Sequence, residues 1–182
     1  LQWLNNRYGQ TFDFGQLYAE LFHPTDYLQA YIDQYKAEIG APYVAIHFRF
    51  MNLIGDSNEF ADINPTLPAE QQKRLVEESL RQVEFLMAQH PDHRVMLATD
   101  SPQFTALATE RFTVLYVAPG EIKHIGTASD TTADSNLKMF LDYYLISEAD
   151  YVYNLVSGEM WKSAFPEYAA KIGQKPFQRI FY

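Results

Sequence analysis

The chain has 182 residues, of which 47% are hydrophobic and 20% charged, values typical of one globular domain or of one half of a two-lobed enzyme. Its net charge of −9 argues against broad binding to nucleic acid or to an anionic membrane. The sequence contains no cysteine, which excludes disulfides, thiolate metal sites and cysteine nucleophiles.

The sequence has no feature of membrane insertion or export. No apolar run approaches the ~20 residues of a membrane span, and no signal peptide opens the chain. The possible glycosylation sequon at Asn64 has proline in the blocking position. We therefore expect a cytoplasmic protein. The chain begins at Leu1 rather than at methionine, as a fragment of a longer protein would.

The first predicted elements surround residue 40. Residues 1–24 are rich in aromatic side chains and show no clear period. A helix is predicted to begin after Thr25, a suitable N-cap, and to end at Gly40. Residues 41–49 follow as a continuous apolar run, which is typical of a buried parallel strand.

Helices and strands alternate along the rest of the chain. The predicted helices cover residues 66–89, 101–112, the apolar stripe 137–145, and 157–173. The predicted strands cover residues 94–100, 113–118, 150–157 and 177–182. This alternation predicts βαβ units with right-handed crossovers. The fold class is therefore α/β: a doubly wound, mainly parallel, Rossmann-like sheet flanked by helices.

Three predicted strands end in polar residues. The first ends in His47 and Arg49, the second in Asp100, and the fourth in Asn154 and Ser157. Because open parallel sheets bind ligands at the carboxyl ends of their strands, we expect these side chains on one rim. An arginine offers a bidentate fork for phosphate, and a carboxylate suits ribose hydroxyls or the N–H edge of guanine. The sequence therefore predicts a nucleotide site.

Several common site motifs are missing from the sequence. No G-x-G-x-x-G follows a strand, which argues against a dinucleotide cofactor of the usual type, and there is no P-loop motif. No G-x-S-x-G elbow marks a hydrolase. His90 and His93 flank a proline instead of sharing a helix face, so we expect no metal site there.

Three motifs resemble one enzyme family. They are HFR at 47–49, LATDS at 97–101 and LDYYLISEADYVYNLVSGEMWKSAF at 141–165. In this order and spacing they resemble the donor half of the fucosyltransferases with an H-x-R motif, which include the α1,6-, α1,2- and protein O-fucosyltransferases. The segment LFHPTDYLQAYI, residues 21–32, is similar to the helix that these enzymes place before the first motif. The resemblance covers about residues 20–182.

The resemblance implies one lobe of a GT-B fold and a nucleotide-sugar donor-binding domain at residues 25–182. It implies inverting transfer of fucose from GDP-fucose to a glycan or protein hydroxyl, with no metal or other cofactor. Residues 1–24 would be the remnant of a missing lobe or a link to it. In the family that lobe carries much of the acceptor site.

The resemblance also implies roles for individual residues. Arg49 matches the arginine that grips the β-phosphate and stabilises the GDP leaving group, and His47 is its companion near the nucleoside. Asp100 matches the acidic residue after the second strand. Asp142 matches the aspartate that reads guanine in the α1,6 group.

A further match concerns the phosphate-binding turn. Ser157 and the amide of Gly158 match a serine-containing turn that cradles phosphate at a helix N-terminus. The sequence also departs from the family, because Phe50 stands where the α1,6 and α1,2 groups have a second arginine. No aspartate follows Arg49 at the usual distance of three or four residues.

The nearest acids after the H-x-R motif are Asp56 and Glu59, which makes them candidate general bases for the acceptor hydroxyl. The leading hypothesis is a metal-independent inverting glycosyltransferase that uses GDP-fucose. One alternative is a non-catalytic nucleotide-binding module of the same fold, and another is a transferase that uses a different NDP-sugar.

Each candidate also has a structural interpretation. Arg49 would pair with a neighbouring carboxylate, and His47 would orient its loop through hydrogen bonds. Asp100 would assist a helix start, Asp142 would be solvated, and Ser157 would cap the last helix.

Overall fold

The computed structural model describes residues 1–56, 65–121, 133–158 and 160–182, and of residues 133–135 only the backbone. The helices in these ranges are α1 Gln2–Tyr8, α2 Phe14–Leu21, α3 Asp26–Ile39, α4 Ala69–Gln89, α5 Pro102–Arg111, α6 Ala133–Glu148 and α7 Phe165–Ile172. The strands are β1 Tyr43–Phe48, β2 Arg94–Thr99, β3 Leu115–Tyr116, β4 Tyr151–Val156 and β5 Phe177–Phe181. Among these helices, none combines the length and the hydrophobicity needed to cross a bilayer. The compartment stays a prediction.

The strands form one sheet in the order β3-β2-β1-β4-β5, and every neighbouring pair is parallel. The chain starts in the centre at β1, moves outward through β2 and β3, and then returns to the other side for β4 and β5. The winding direction therefore reverses between β1 and β4. The predicted doubly wound parallel fold is confirmed.

Hydrophobic clusters cover both faces of the sheet, and strand β1 contributes to both. Its residues Val44, Ile46 and Phe48 pack on one side with helices α4 and α5. Its residues Tyr43 and Ala45 pack on the other side with helices α3, α6 and α7. This alternation follows from the period of two residues in a strand. It explains why the whole of β1 is buried and reads as one apolar run.

The predicted helix starts at two places are confirmed by hydrogen bonds. The hydroxyl of Thr25 accepts from the backbone N–H of Leu28 at 3.3 Å, at the start of α3. The hydroxyl of Ser101 accepts from the N–H of Phe104 at 2.9 Å, at the start of α5. Caps of this kind stabilise a helix by about 1 kcal/mol each. Gly40 ends α3 in a backbone conformation with φ of 77°, which favours glycine.

The last helix is shorter than the sequence suggests. The prediction starts it at Ser157, but α7 begins at Phe165, with Pro166 in its first turn. Proline suits the first turn of a helix, whereas in the interior it removes a hydrogen bond and clashes with the preceding turn. Pro166 therefore prevents a helix from running through this position from residue 157. The interpretation of Ser157 as the cap of the last helix is wrong, and the serine-containing turn lies outside any helix N-terminus.

Strand β3 is also shorter than predicted. Residues 113–118 read as a strand, but only Leu115 and Tyr116 pair with β2, opposite Val95 and Met96. This strand lies at the edge of the sheet, where it has one neighbour instead of two. Short edge strands limit unwanted pairing with other chains.

Residues 1–24 contain two helices that the sequence pattern does not predict. Helix α2 packs closely on α7, because a Cβ at Gly15 would lie 2.3 Å from the carbonyl oxygen of Lys171. The hydroxyl groups of Tyr18 and Tyr144 form a hydrogen bond of 2.8 Å between α2 and α6. Helix α2 thus packs against helices α6 and α7. The division at residue 24, and a link to another lobe, stay predictions.

Candidate functional site

The site lies where the winding of the sheet reverses, at the carboxyl ends of β1 and β4. His47 in β1 stands opposite Ala98 of β2 and Asn154 of β4. The next residues along these strands, including Arg49 and Asp100, therefore share one rim. In open parallel sheets this is the crevice where ligands bind.

Asp100 holds the loop that follows β1. Its Oδ1 accepts from the N–H of Phe50 at 2.8 Å, and its Oδ2 accepts from the N–H of Met51 at 2.6 Å. Met51 has a φ of 54°, a conformation that is strained for a residue other than glycine. The two hydrogen bonds stabilise this turn. Burial raises the pKa of the Asp100 carboxyl, while the Arg49 guanidinium and the two amides oppose that rise.

Arg49 contacts one residue after each strand that neighbours β1, namely Asp100 after β2 and Trp161 after β4. Its Nε lies 3.5 Å from Oδ2 of Asp100, beyond β2, and its carbonyl accepts from the N–H of Trp161, beyond β4, at 3.3 Å. The side chain of Arg49 is 18% exposed. Among the described residues Asp100 is its ion-pair partner, and the contact involves Nε instead of the two terminal nitrogens that form the fork. The structural pairing and a phosphate contact are therefore compatible.

The turn after β4 contains Ser157 and Gly158. The N–H of Met160 donates to the carbonyl of Ser157 at 2.7 Å and closes the turn. Gly158 has a φ of 31°, and a Cβ there would meet no heavy atom within 4 Å. No described residue therefore fills the space beside Gly158.

Arg74 lies next to this turn, although the sequence pattern does not single it out. A pocket of about 140 Å³ is lined by Leu67, Gln71, Arg74, Leu75, Glu78, Ser157 and Gly158. Arg74 is exposed on α4, and its charge has no ion-pair partner within the described ranges. The position follows from the contact between α4 and the turn after β4, which no local pattern reveals. Phe50, at the position where the sequence resemblance would place a second arginine, is fully buried in the core.

Asp142 is buried and charge-paired. The Nζ of Lys138 donates to Oδ1 and Oδ2 of Asp142 at 2.7 and 2.6 Å. The two residues are only 6% and 8% exposed. Burial raises the pKa of the Asp142 carboxyl, and the ammonium group of Lys138 opposes that rise. The interpretation of Asp142 as a solvated aspartate is therefore wrong.

Lys138 and Asp142 lie on α6, and the loop after β3 packs against this helix. A Cβ at Gly120 would lie 2.9 Å from the Cβ of Lys138, so the loop after β3 closes over the lysine stem. Lys138 is one helical turn before Asp142, a spacing at which opposite charges meet. The sequence shows this spacing, but it does not show that both charges are buried.

His47 is buried in a polar network at the end of β1. Burial, and then the positive charge of Arg49, lower its pKa to about 3, so the imidazole is neutral near pH 7. Nδ2 of Asn154 lies 3.3 Å from Nδ1 of His47. The ring of Phe165, at the start of α7, lies 5.8 Å from the imidazole between ring centres.

The two candidate bases are Asp56 and Glu59. Asp56 binds the start of α5, because its Oδ2 accepts from the Ser101 hydroxyl at 2.5 Å and from the N–H of Gln103 at 3.0 Å. Its Oδ1 is buried and has no hydrogen-bond partner among the described residues. Glu59 lies outside the described residues. The identity of the base therefore stays a prediction.

No protein-family model matches the sequence, and no curated protein sequence matches it. Solved structures do share its fold. The α1,6-fucosyltransferase NodZ from Bradyrhizobium, soaked with GDP-fucose, superposes with a TM-score of 0.50 and 18% identity over 81% of this chain and 42% of NodZ. POFUT1 in complex with GDP gives a TM-score of 0.50 and 13% identity over 87% of this chain and 48% of POFUT1.

The apo form of POFUT1 superposes equally well, with a TM-score of 0.50 and 11% identity over 86% of this chain and 46% of that one. The chain thus spans less than half the length of the fucosyltransferases that it matches. At these identities the likeness concerns the fold. The chain has a fucosyltransferase-like fold of the GT-B type over the part that it covers, which confirms at the level of the fold the resemblance seen in the sequence.

Proposed function

We propose that the chain is the donor-binding part of a metal-independent, inverting glycosyltransferase that transfers fucose from GDP-fucose to a glycan or protein hydroxyl. One observation carries the proposal. Arg49 stands at the reversal of the sheet, between the carboxylate of Asp100 and the backbone N–H of Trp161. The solved structures of this fold include NodZ soaked with GDP-fucose and POFUT1 bound to GDP.

Arg49 would act on the leaving group. As the bond between C1 of the sugar and the β-phosphate oxygen breaks, its electron pair moves to that oxygen. The guanidinium fork neutralises the charge that develops there. The acceptor oxygen attacks C1 from the opposite face, and its proton passes to a carboxylate, either Asp56, Glu59 or an acid of another lobe.

Other residues of the rim would bind the nucleotide. The Ser157 hydroxyl and the Gly158 amide suit phosphate oxygens, and Arg74 adds a second cation beside that turn. Asp142 would accept from the N1–H and NH₂ groups of guanine, since each carboxylate oxygen can accept more than one hydrogen bond. His47 would contact the nucleoside.

Calorimetric titration with GDP tests the assignment of Arg49. Arg49→Ala should weaken GDP binding by ~2–4 kcal/mol, the scale of one key charged donor. Arg49→Lys should lose part of the GDP affinity, because an ammonium group cannot form the bidentate phosphate contact of a guanidinium. Arg81→Ala is the matched control, since Arg81 is an exposed arginine of α4 that pairs with Glu77. Equal GDP affinity in Arg49→Ala and Arg81→Ala would contradict the proposal.

A non-catalytic nucleotide-binding module of this fold is the second candidate. The engagement of Asp56 at the start of α5 favours it, because this candidate base already accepts two hydrogen bonds. The module would bind GDP but would not consume GDP-fucose, with or without glycan and peptide acceptors. A transferase for another NDP-sugar would show a larger thermal shift with UDP or ADP than with GDP.

A further inference from the structure

A chain of three polar side chains crosses the sheet from β5 to β1. Arg179 of β5 stands opposite Asn154 of β4, and Asn154 stands opposite His47 of β1. The Nε of Arg179 donates to Oδ1 of Asn154 at 2.8 Å. The amide Nδ2 of Asn154 lies 3.3 Å from Nδ1 of His47 and donates to the carbonyl of His47 at 3.4 Å. Asn154 is fully buried.

The guanidinium of Arg179 fixes which way the Asn154 amide points. An arginine has donors and no acceptor, so the amide atom 2.8 Å from its Nε must be oxygen. The nitrogen of the amide therefore faces His47. Arg179 is itself held, because its Nη2 donates to the carbonyl of Ser163 at 2.9 Å and lies 3.4 Å from Oε2 of Glu167.

The amide orientation in turn determines the tautomer of His47. An amide nitrogen only donates, so a hydrogen bond between it and the imidazole requires that Nδ1 accepts and carries no proton. The single ring proton of the neutral imidazole is then on Nε2. A histidine in this state is a hydrogen-bond donor at Nε2, and it cannot accept there.

We propose that Arg179 and Asn154 are positioning residues that lock His47 in the Nε2–H tautomer, so that His47 donates a hydrogen bond to an oxygen of the bound nucleotide. The identity of the ligand rests on the proposed function, whereas the tautomer does not. Among the described residues, the charged groups around the imidazole are Arg49, directly after its strand, and Arg179 with its partner Glu167 on the far side of Asn154. The guanidinium of Arg49 opposes a positive charge on the ring.

Asparagine is essential to this arrangement, and aspartate would reverse it. In Asn154→Asp, one carboxylate oxygen still accepts from Arg179, and the other faces Nδ1 as an acceptor. The imidazole proton should then move to Nδ1, which leaves Nε2 as an acceptor. The change is nearly isosteric, so its effect on the ring is chemical rather than steric.

Nuclear magnetic resonance of the nitrogen-15-labelled protein at pH 8 tests the relay without any nucleotide. Long-range proton–nitrogen correlations, assigned by comparison with His47→Gln, should show the wild-type proton on Nε2 and the Asn154→Asp proton on Nδ1. A wild-type proton on Nδ1, or an unchanged tautomer in Asn154→Asp, would overturn the proposal. The wild-type spectrum alone decides the tautomer if the variant does not fold.

Two variants of Arg179 separate its positioning role from a general loss of structure. Arg179→Met frees the amide to rotate, so both tautomers should appear, whereas Arg179→Lys keeps a donor and should preserve the Nε2–H signal. The matched control Arg81→Met, in α4, should leave the His47 signals unchanged. A pure Nε2–H signal in a folded Arg179→Met would overturn the role of Arg179.

Titration with GDP tests the donor role. His47→Gln mimics the proposed tautomer, since its carbonyl accepts from Asn154 and its amide donates outward, so it should keep the GDP affinity within about threefold. His47→Leu has no donor and should lose about tenfold. Equal affinities of these two variants would overturn the donor role and leave the tautomer result standing. If the wild type itself does not bind GDP, the donor role falls with the proposed function, and the spectra still decide the relay.

Discussion

The carboxylate of Asp100 lies beneath the guanidinium of Arg49, with Oδ2 of the aspartate 3.5 Å from Nε of the arginine. The same carboxylate binds the N–H groups of Phe50 and Met51, the two residues that follow Arg49. One buried acid therefore both balances the charge of the arginine and shapes the loop that presents it. Asp100 thus holds both the side chain of Arg49 and the loop that follows it. A ligand that binds Arg49 therefore loses less free energy to the ordering of this side chain.

We expect Asp100→Asn to lower both the free energy of unfolding and the affinity for GDP. The asparagine can supply one acceptor but turns an NH₂ group toward a backbone N–H, which leaves a buried donor unpaired at a cost of about 1–3 kcal/mol. Urea unfolding and calorimetry measure the two effects. Asp92→Asn is the control, because Asp92 is exposed in the turn before β2 and should change neither value. Wild-type stability in Asp100→Asn would show that these bonds contribute little.

The buried pair of Lys138 and Asp142 gives a second prediction. Asp142→Asn leaves the ammonium group buried without its counter-charge, and breaking a buried pair in this way costs roughly 3–5 kcal/mol. The double variant Lys138→Met with Asp142→Asn removes both charges and should recover most of that stability. Thermal or urea unfolding of the three proteins measures the difference. Equal stabilities of the single and double variants would contradict the ion-pair argument.

The double variant also tests whether Asp142 reads guanine. If the carboxylate accepts from N1–H and NH₂ of guanine, its replacement leaves those donors unpaired at roughly 1–3 kcal/mol. The preference for GDP over ADP should then fall by about tenfold or more, as measured by calorimetry with both nucleotides. Lys138→Met alone serves as the comparison that keeps the carboxylate. An unchanged preference would remove Asp142 from the site and leave Asp100 as the candidate.

The buried imidazole of His47 predicts a pH dependence of stability. Its pKa is about 3 in the folded chain, against an ordinary value of 6.5. Between these values the unfolded chain binds a proton that the folded chain does not, so stability falls as the pH is lowered from 6.5 towards 3. The slope approaches about 1.4 kcal/mol per pH unit. Urea unfolding of the wild type at pH 7.5 and pH 5 measures this loss.

His47→Gln provides the control for that measurement, because it has no group that titrates in this range. The pKa of His90 is also lowered by burial, but His90 is present in both proteins and its effect cancels. The wild type should therefore lose more stability than the variant between the two pH values. Parallel losses would mean that His47 titrates normally in the folded protein.

Arg74 gives a prediction about salt. If it contacts a phosphate beside Ser157, Arg74→Ala should lower the GDP affinity by about fivefold at low ionic strength, since an exposed cation contributes about 1 kcal/mol. The loss should shrink as salt is added, because exposed charges are screened over about 10 Å at 0.1 M. Lys73→Ala removes the same charge from the preceding residue of the helix. Equal losses of GDP affinity in Arg74→Ala and Lys73→Ala would indicate a long-range effect of positive charge on α4 instead of a contact between Arg74 and the phosphate.

The local parts of the fold could be predicted from the sequence. The apolar run that ends in His47 indicated a buried parallel strand, and Thr25 and Ser101 marked helix starts that their own hydrogen bonds now confirm. These features depend on residues within a few positions of one another. The alternation of strands and helices then predicted the parallel sheet, because parallel strands need crossover connections.

The tertiary structure decided what lies far apart in the chain. The reversal between β1 and β4, the burial of Asp142 beside Lys138, and the position of Arg74 at the turn after β4 depend on packing between elements. The link from Arg179 through Asn154 to His47 joins three strands, two of which are separated by more than 100 residues. Local periodicity predicts which face of a helix or strand is apolar. It does not predict which polar side chain of another element will lie next to a given residue. Those partners exist only once the sheet is assembled and water is excluded from its rim.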